Sequence, residues 1–120
     1  AILTGDNPKL RTYSLVRKGK GVSVDRRNPY KYQSLAYNFV NKKSEPFSVY
    51  VEPSEDDEPI HLSSHPGQEF NYVLEGTLMI YLDGHQLVLN EGDSLYFDSS
   101  NNHGMKALGG KPAKFLAIIF

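Results

Sequence analysis

The sequence predicts an all-β protein, built as an antiparallel sandwich or a small barrel. Three observations support this prediction. Short runs rich in Val, Ile, Tyr and Phe occupy most of the 120-residue chain. Apolar residues rarely recur with the i, i+3, i+4 spacing of a helix. Gly, Pro, Asn, Asp and Ser separate the runs at short, regular intervals, as in sandwiches and small barrels.

The predicted strands follow one another along the chain, with a turn signal between most neighbours. The clearest signal is Asp83-Gly84, because this pair supplies the positive φ angles of a two-residue hairpin. Other turn signals lie at Pro66-Gly67, 90–92, 98–102 and Gly109-Gly110. In order, the predicted strands are Tyr13–Lys18, Gly21–Asp25, Lys31–Val40, Pro46–Glu52, Glu58–Ser63, Gln68–Glu75, Thr77–Leu82, His85–Leu89, Ser94–Asp98, Gly104–Leu108 and Ala113–Phe120.

Two segments do not fit a strand pattern. Residues 1–12 are irregular, and we expect them to form an N-terminal arm or the end of a linker. The acidic tract Glu52–Glu58 is expected to be a solvated loop. Because a chain of this length suits one hydrophobic core, we expect a single domain over residues 13–120.

Several predicted strands are apolar on both faces, most clearly Thr77–Leu82 and Ala113–Phe120. A strand in a monomeric sandwich needs only one apolar face, so the second must be covered by something else. We expect a second subunit to cover it, in a homodimer. The alternative is that the N-terminal half of the chain covers it.

Composition excludes several classes of function. The absence of Cys excludes disulfides, thiolate metal sites and cysteine nucleophiles. No apolar run approaches the ~20 residues of a transmembrane helix, and the chain does not start with a signal-peptide pattern. We therefore expect a cytoplasmic protein with no membrane partner.

The formal net charge of −1 conceals a split along the chain. Residues 1–43 carry a net charge of +8, and residues 44–120 carry −9. Such a split indicates either an anionic partner or two segments that attract one another. The basic residues are not clustered with stacking aromatics, as they are in nucleic-acid-binding modules. We therefore favour attraction between basic N-terminal strands and the acidic remainder, within one subunit or across a dimer.

The run His61–Glu69 is the most informative for chemistry. On one continuous strand, His65 and Glu69 would lie ~13 Å apart, too far to share a metal ion. Pro66-Gly67 suits the centre of a type II turn, which would reverse the chain and bring them together. His103 is a candidate for a third ligand, since two His and one carboxylate form a facial triad with open metal positions. From local sequence alone, the alternative is that these are ordinary surface residues.

The same residues carry a resemblance to a known family. The sequence resembles a cupin, whose first motif is Gly-x5-His-x-His, three or four residues, Glu, six residues, Gly. The second cupin motif is Gly-x5-Pro-x-Gly-x2-His-x3-Asn. The matching positions are His65, Glu69, Gly76, Gly92 and His103. The motif-bearing part is 58–108, and the resemblance implies an antiparallel double-stranded β-helix, the cupin jelly-roll barrel.

The resemblance also implies a metal site with an altered ligand set. Three of the four usual cupin ligands are present, at His65, Glu69 and His103. Ser63 replaces the first motif His, and a hydroxyl is a poor ligand for a divalent transition metal. His61 is an accessory candidate, although it lies ~7 Å further along an extended strand than Ser63. We expect Zn, Ni, Fe or Mn, bound more weakly than by the full set.

A narrower resemblance concerns the runs 65–76 and 91–100. They are similar to the C-terminal cupin domain of helix-turn-helix transcriptional regulators, which implies a ligand-sensing and dimerising role. The 120 residues contain no helix-turn-helix pattern of their own. Either a DNA-binding domain lies upstream of Ala1, or the chain is a stand-alone relative of these regulators. We favour the first, with DNA contact only through that upstream domain.

Two functions follow from these patterns. The first is a regulatory domain that binds an unidentified small-molecule effector in the barrel mouth. The strand parity of Glu69 and His103 predicts the residues of that pocket, namely His65, Glu69, Asn71, His103 and Met105. The second is a metal-dependent enzyme, a dioxygenase or isomerase. Two observations count against it, namely Ser63 in place of a metal-binding His and the lack of a further acid–base group. We favour the regulator, and therefore a domain without enzymatic activity.

Overall fold

Two antiparallel sheets form the described part of the chain. The computed structural model describes residues 12–27, 30–55 and 57–120. Six strands form one sheet in the order β1-β2-β3-β9-β4-β7, and three form the other in the order β6-β5-β8. The strands are β1 (Val22–Arg27), β2 (Tyr30–Ser34), β3 (Glu45–Val51), β4 (Gln68–Glu75), β5 (Leu78–Leu82), β6 (His85–Leu89), β7 (Ser94–Asp98), β8 (His103–Ala107) and β9 (Ala113–Ile119).

The predicted all-β antiparallel architecture is confirmed. β4, β6 and β7 have the predicted bounds, and β3, β5, β8 and β9 differ from theirs by one residue at one or both ends. Asp83 and Gly84 have φ angles of 47° and 80°, and they join β5 to β6 in the expected hairpin. Within the described ranges, no helix is long and apolar enough to cross a bilayer.

The hydrophobic core lies between the two sheets. Because side chains alternate along each strand, every second residue faces the opposite sheet. The buried apolar residues come from both sheets and pack as one cluster, which includes Val49, Val51, Val73, Leu78, Ile80, Leu89, Met105, Ala107, Ala113, Phe115 and Ala117. This cluster anchors β4 and β8, the two strands that carry the candidate site.

Two predicted strands near the N-terminus are wrong or too long. The run Tyr13–Lys18 is not a strand, and its Tyr13 and Leu15 side chains are 70% and 63% exposed. Apolar alternation alone does not make a strand, and no strand among the described residues pairs with this run. The prediction Lys31–Val40 holds only as far as Ser34, where the chain enters a series of turns. The arm expected over residues 1–12 lies outside the described residues, apart from Thr12.

The predicted strand Glu58–Ser63 is also wrong. This segment runs beside β8, but it is joined to that strand only by an isolated bridge between Ser63 and His103. Pro59 contributes no N–H to a ladder, which disfavours regular pairing. The chain still passes close to β8, since a Cβ at Gly104 would collide with the carbonyl oxygen of His61.

The basic N-terminal strands extend the larger sheet at one edge. Among the described residues, two ion pairs join this part to acidic residues of the same subunit, Lys31 to Glu52 at 2.7 Å and Lys42 to Glu45 at 3.0 Å. The Lys31–Glu52 pair is solvent-exposed, and such pairs contribute about 0–1 kcal/mol. Some of the charge attraction expected from the sequence therefore occurs within one subunit.

Candidate metal centre

The turn at Pro66-Gly67 places His65 beside Glu69, as predicted. Gly67 has a φ of 97°, a conformation that side-chain-bearing residues rarely adopt. Ser99 holds both sides of the turn: its carbonyl accepts from the His65 N–H at 2.9 Å, and its N–H donates to the Gly67 carbonyl at 3.1 Å. As a result, His65 Nε2 lies 3.1 Å from Glu69 Oε1.

The third residue of the cluster comes from the other sheet. His103 is the first residue of β8, and it exchanges two backbone hydrogen bonds of 2.9 Å with Ser63. Its Nε2 lies 3.8 Å from Glu69 Oε1, and its ring centre lies 5.2 Å from that of His65. One ligand atom from each of the three residues lies within 4.8 Å of the others. Such a cluster is compact enough to surround one metal ion.

Backbone carbonyls orient both imidazoles. His103 Nδ1 lies 2.8 Å from the Asn101 carbonyl oxygen, and His65 Nδ1 lies 3.3 Å from the Pro66 carbonyl oxygen. A carbonyl oxygen can only accept, so Nδ1 carries the proton in each of these hydrogen bonds. With the proton on Nδ1, each Nε2 would offer a lone pair to a metal ion on the side of Glu69, and the ion would replace the direct contact of His65 Nε2 with Glu69 Oε1.

The Glu69 carboxylate is buried, so its negative charge needs hydrogen-bond donors or a cation nearby. Glu69 and His103 are each 5% exposed. Asn71 Nδ2 donates to Glu69 Oε2 at 2.8 Å, which leaves Oε1 facing the imidazoles. Two imidazole nitrogens and one carboxylate oxygen are the donors of a facial triad, so the donor set fits Fe, Mn, Ni or Zn. These three residues would hold the ion.

A cavity of about 330 Å³ lies beside the three residues. His65, Glu69, His103 and Met105 all line it, as do His61 and Ser63 at its polar rim. Tyr32 contacts Tyr30 and Phe47 edge-on along one wall, with ring centres 6.5 and 6.0 Å apart. The remaining lining residues include Val24, Leu62, Ser64, Gly104, Phe115, Ala117 and Ile119.

Tyr30 is a cavity residue that was not predicted from the sequence. Its hydroxyl donates to the Met105 carbonyl at 2.6 Å, a contact between residues 75 positions apart that links β2 to β8. Burial raises the pKa of the Tyr30 hydroxyl, so the group stays protonated at neutral pH. Only the Tyr-x-Tyr alternation at 30–32 signals an inward-facing hydroxyl in the sequence.

Asn71 occupies a different place from the one expected. It is not among the residues that line the cavity but lies fully buried behind Glu69, two residues deeper along β4. Its Oδ1 has no hydrogen-bond partner among the described residues. A buried amide with one unpaired oxygen is unfavourable for stability. We therefore infer that Asn71 acts by holding the Glu69 carboxylate in place.

We expect the substitution Asn71→Leu to lower the affinity for Zn²⁺ by about 10–100-fold, because the Glu69 carboxylate loses the donor that orients it. Calorimetric titration of the chelator-treated protein measures this effect. Val73→Ala is the matched control, since Val73 is buried on the same strand. It should reduce stability and leave the Zn²⁺ affinity intact. Equal losses of affinity in the two variants would contradict a positioning role for Asn71.

Comparisons with known proteins identify the family and the fold. The family model described as "Cupin domain" matches residues 47–119. No curated protein sequence matches the chain.

The fold is similar to hydroxypropylphosphonic acid epoxidase from S. wedmorenis, with a TM-score of 0.75 and 24% identity, over 90% of this chain and 59% of that one. This chain thus spans less than two thirds of the epoxidase. A structure of CoII HppE in complex with substrate matches at 26% identity and a TM-score of 0.67, over 95% of this chain and 64% of that one.

Two other structures resemble the chain. An RmlC-like cupin from Shewanella frigidimarina has a TM-score of 0.70 and 18% identity, over 92% of this chain and 93% of that one. An HTH_3 family transcriptional regulator from Vibrio cholerae has a TM-score of 0.64 and 25% identity, over 82% of this chain and 56% of that one. The fold is therefore shared by proteins of different functions.

Proposed function

The chain belongs to the cupin family, and on that premise we propose that it is the small-molecule-sensing and dimerising domain of a transcriptional regulator. The observation that carries the proposal is the convergence of His65, Glu69 and His103 at one end of a largely apolar cavity. Polar groups converging in an apolar cavity are the usual makeup of a small-molecule site. A bound Zn, Ni, Fe or Mn ion would supply Lewis acidity and an anchor for the effector.

The position of the cavity supports a sensing role. Part of its wall comes from Val24 on β1 and from Tyr30 and Tyr32 on β2. These are the described strands nearest to the N-terminus, where a DNA-binding domain would be attached. An effector that contacts them can therefore influence the segment through which the two domains connect. The likeness to the HTH_3 regulator fits this arrangement, and a cytoplasmic location would follow from it.

The proposal is tested on the full-length chain. We expect the coding sequence upstream of Ala1 to encode a DNA-binding domain. The affinity of the full-length protein for its own promoter DNA should change when Zn²⁺ is removed with a chelator and restored on readdition, as measured by fluorescence anisotropy. A full-length chain without a DNA-binding domain, or DNA affinity indifferent to the metal, would contradict the proposal.

The outer face of the larger sheet supports the homodimer. We define the outer aromatic face as Phe70, Tyr72, Tyr96, Ile118 and Phe120. Phe70 lies opposite Tyr96 and Ile118 in the strand register, and the rings of Tyr96 and Phe120 are 5.9 Å apart. β1 and β2 extend the sheet rather than cover this face. The alternative cover expected from the sequence, the N-terminal half, is therefore not seen among the described strands.

A second copy is the occupant that we propose for the outer aromatic face. Tyr72, Tyr96 and Phe120 are 38%, 55% and 51% exposed, which amounts to roughly 300 Å² of aromatic surface for rings of this size. A stable interface buries about 800 Å² per partner, with aromatic residues enriched at its centre. The exposed rings would supply the apolar centre of such an interface. In a dimer with two-fold symmetry, the same face of each copy meets its counterpart.

We expect Tyr96→Glu to convert the dimer to a monomer, because it places a carboxylate in the centre of the outer aromatic face. Sedimentation velocity measures the change in molecular mass. Val88→Glu is the control, since Val88 is similarly exposed (57% against 55%) but lies on the smaller sheet. If the unmodified chain is a monomer, or if the Val88 variant dissociates equally, the outer aromatic face is not the interface.

A metal-dependent enzyme is the second candidate function. The observation in its favour is the set of two imidazoles and one carboxylate, because facial triads of this kind serve oxygenases. The likeness to CoII HppE in complex with substrate also favours it. Repeated O₂ consumption by the Fe(II)-loaded protein in the presence of a bound ligand, abolished by Glu69→Gln, would favour the enzyme over the regulator.

A further inference from the structure

The charges around the cavity restrict the ligand that it can hold. Among the described residues that line it, Glu69 is the one acid, and none is Lys or Arg. A divalent metal ion contributes two positive charges, Glu69 removes one, and the two imidazoles bind as neutral ligands. The loaded centre therefore retains one positive charge in surroundings of low polarity.

This count favours a ligand with a single negative charge. A monocarboxylate would make the centre neutral. A phosphate monoester is mostly dianionic above pH 7, and an alkylphosphonate becomes so at a somewhat higher pH. Either dianion would leave an excess negative charge with no described cation in the wall to pair with it. Burying an unpaired charge is costly, so the cavity discriminates against a dianionic ligand.

The walls and the volume restrict the body of the ligand. Aromatic and aliphatic side chains, among them Tyr32, Phe47 and Met105, form most of the lining. A cavity of about 330 Å³ corresponds to the liquid volume of roughly eleven water molecules, which is comparable to a molecule of about ten non-hydrogen atoms. Burial of an apolar body against these walls would supply much of the binding free energy.

We infer that the cavity takes a small monocarboxylate whose aryl or branched-alkyl body packs between Tyr32, Phe47 and Met105, with the carboxylate toward His65, Glu69 and His103. This inference rests on the proposed function, because it takes the three residues as a metal site. It goes further in naming the charge and the size of the effector, which neither the fold nor the family specifies.

The test compares probes that differ in one property each. Zn²⁺-loaded protein is titrated calorimetrically at pH 9, where an alkylphosphonate is mostly dianionic. The probes are 3-phenylpropanoate, 2-phenylethylphosphonate, which has a similar body and a second charge, and acetate, which lacks the body. We expect 3-phenylpropanoate to bind at least about tenfold more tightly than either of the others, a difference of about 1.4 kcal/mol. Equal or tighter binding of the phosphonate or of acetate overturns the inference.

The same titrations separate this inference from the proposed function. If the protein takes up no Zn²⁺, the proposed metal site fails and the inference fails with it. If Zn²⁺ binds with full stoichiometry but the phosphonate is preferred, only the inference fails. Either result is read from binding isotherms and does not depend on enzymatic activity.

A variant pair tests the charge argument independently. Leu62 lines the cavity and is 45% exposed, so Leu62→Lys adds a cation to the wall with little disturbance of the core. We expect it to raise the affinity for 2-phenylethylphosphonate relative to 3-phenylpropanoate by about tenfold. Leu74 is 44% exposed but does not line the cavity, and Leu74→Lys should leave the ratio unchanged. An unchanged ratio in the Leu62 variant would overturn the charge argument.

Discussion

Replacing Glu69 by Gln should lower the affinity for a divalent transition metal by more than about 100-fold. Groups that merely orient a ligand are worth about 10–100-fold, and Glu69 is the single anionic donor of the three-residue set. The amide has the shape of the carboxylate, so it can still accept from Asn71. Competition against a chromogenic chelator measures the affinity, and thermal unfolding of the metal-free protein shows whether the fold is retained.

The control for this prediction is Glu75→Gln. Glu75 lies on β4 with Glu69, but its side chain is exposed and outside the cluster. It should bind metal like the unmodified chain. Full affinity in the Glu69 variant would show that the metal lies elsewhere, and equal losses in both variants would point to a general effect of surface charge.

Replacing Leu78 by Ala should reduce the free energy of unfolding by about 2–5 kcal/mol, the usual cost of truncating a buried Leu. Leu78 is fully buried on β5 and belongs to the core between the sheets. Because single domains are stable by only about 5–15 kcal/mol, a loss of this size is a large fraction of the total. Urea unfolding followed by circular dichroism measures it.

Val88→Ala serves as the comparison for the Leu78 variant. Val88 lies on the neighbouring strand β6 with its side chain largely exposed, so the change should be within about 0.5 kcal/mol. β5 pairs with β8, the strand that carries His103, so the Leu78 variant should also bind metal more weakly near its unfolding midpoint. A loss below about 1 kcal/mol would mean that the two sheets do not pack through this residue.

The part of the fold from β4 onward could be predicted because local signals agree there. Asp83-Gly84 sets the hairpin register, and Pro66-Gly67 sets the turn before β4. The N-terminal part could not be predicted in the same way. Tyr13–Lys18 has the composition of a strand, yet strand formation also needs a pairing partner, and the sequence of the run does not reveal whether one exists.

The candidate site shows the same division. His65 and Glu69 are connected by a turn whose residues are recognisable, and the cupin resemblance identifies His103. Alternation along a strand predicts which face of the sheet a side chain occupies, but not how far it lies from the cavity. Asn71 was therefore expected to line the cavity, although it lies behind Glu69. The hydrogen bond from Tyr30 to Met105 depends on how the two sheets meet, which no local pattern specifies.

Metal stoichiometry tests the central claim most directly. The chain is stripped with a chelator, incubated separately with Fe(II), Mn(II), Ni(II) or Zn(II), passed through a desalting column, and analysed for bound metal. We predict close to one equivalent per chain for at least one of these ions, and its loss in the Glu69→Gln variant. Less than about a tenth of an equivalent with every ion would contradict the assignment of His65, Glu69 and His103 as a metal site.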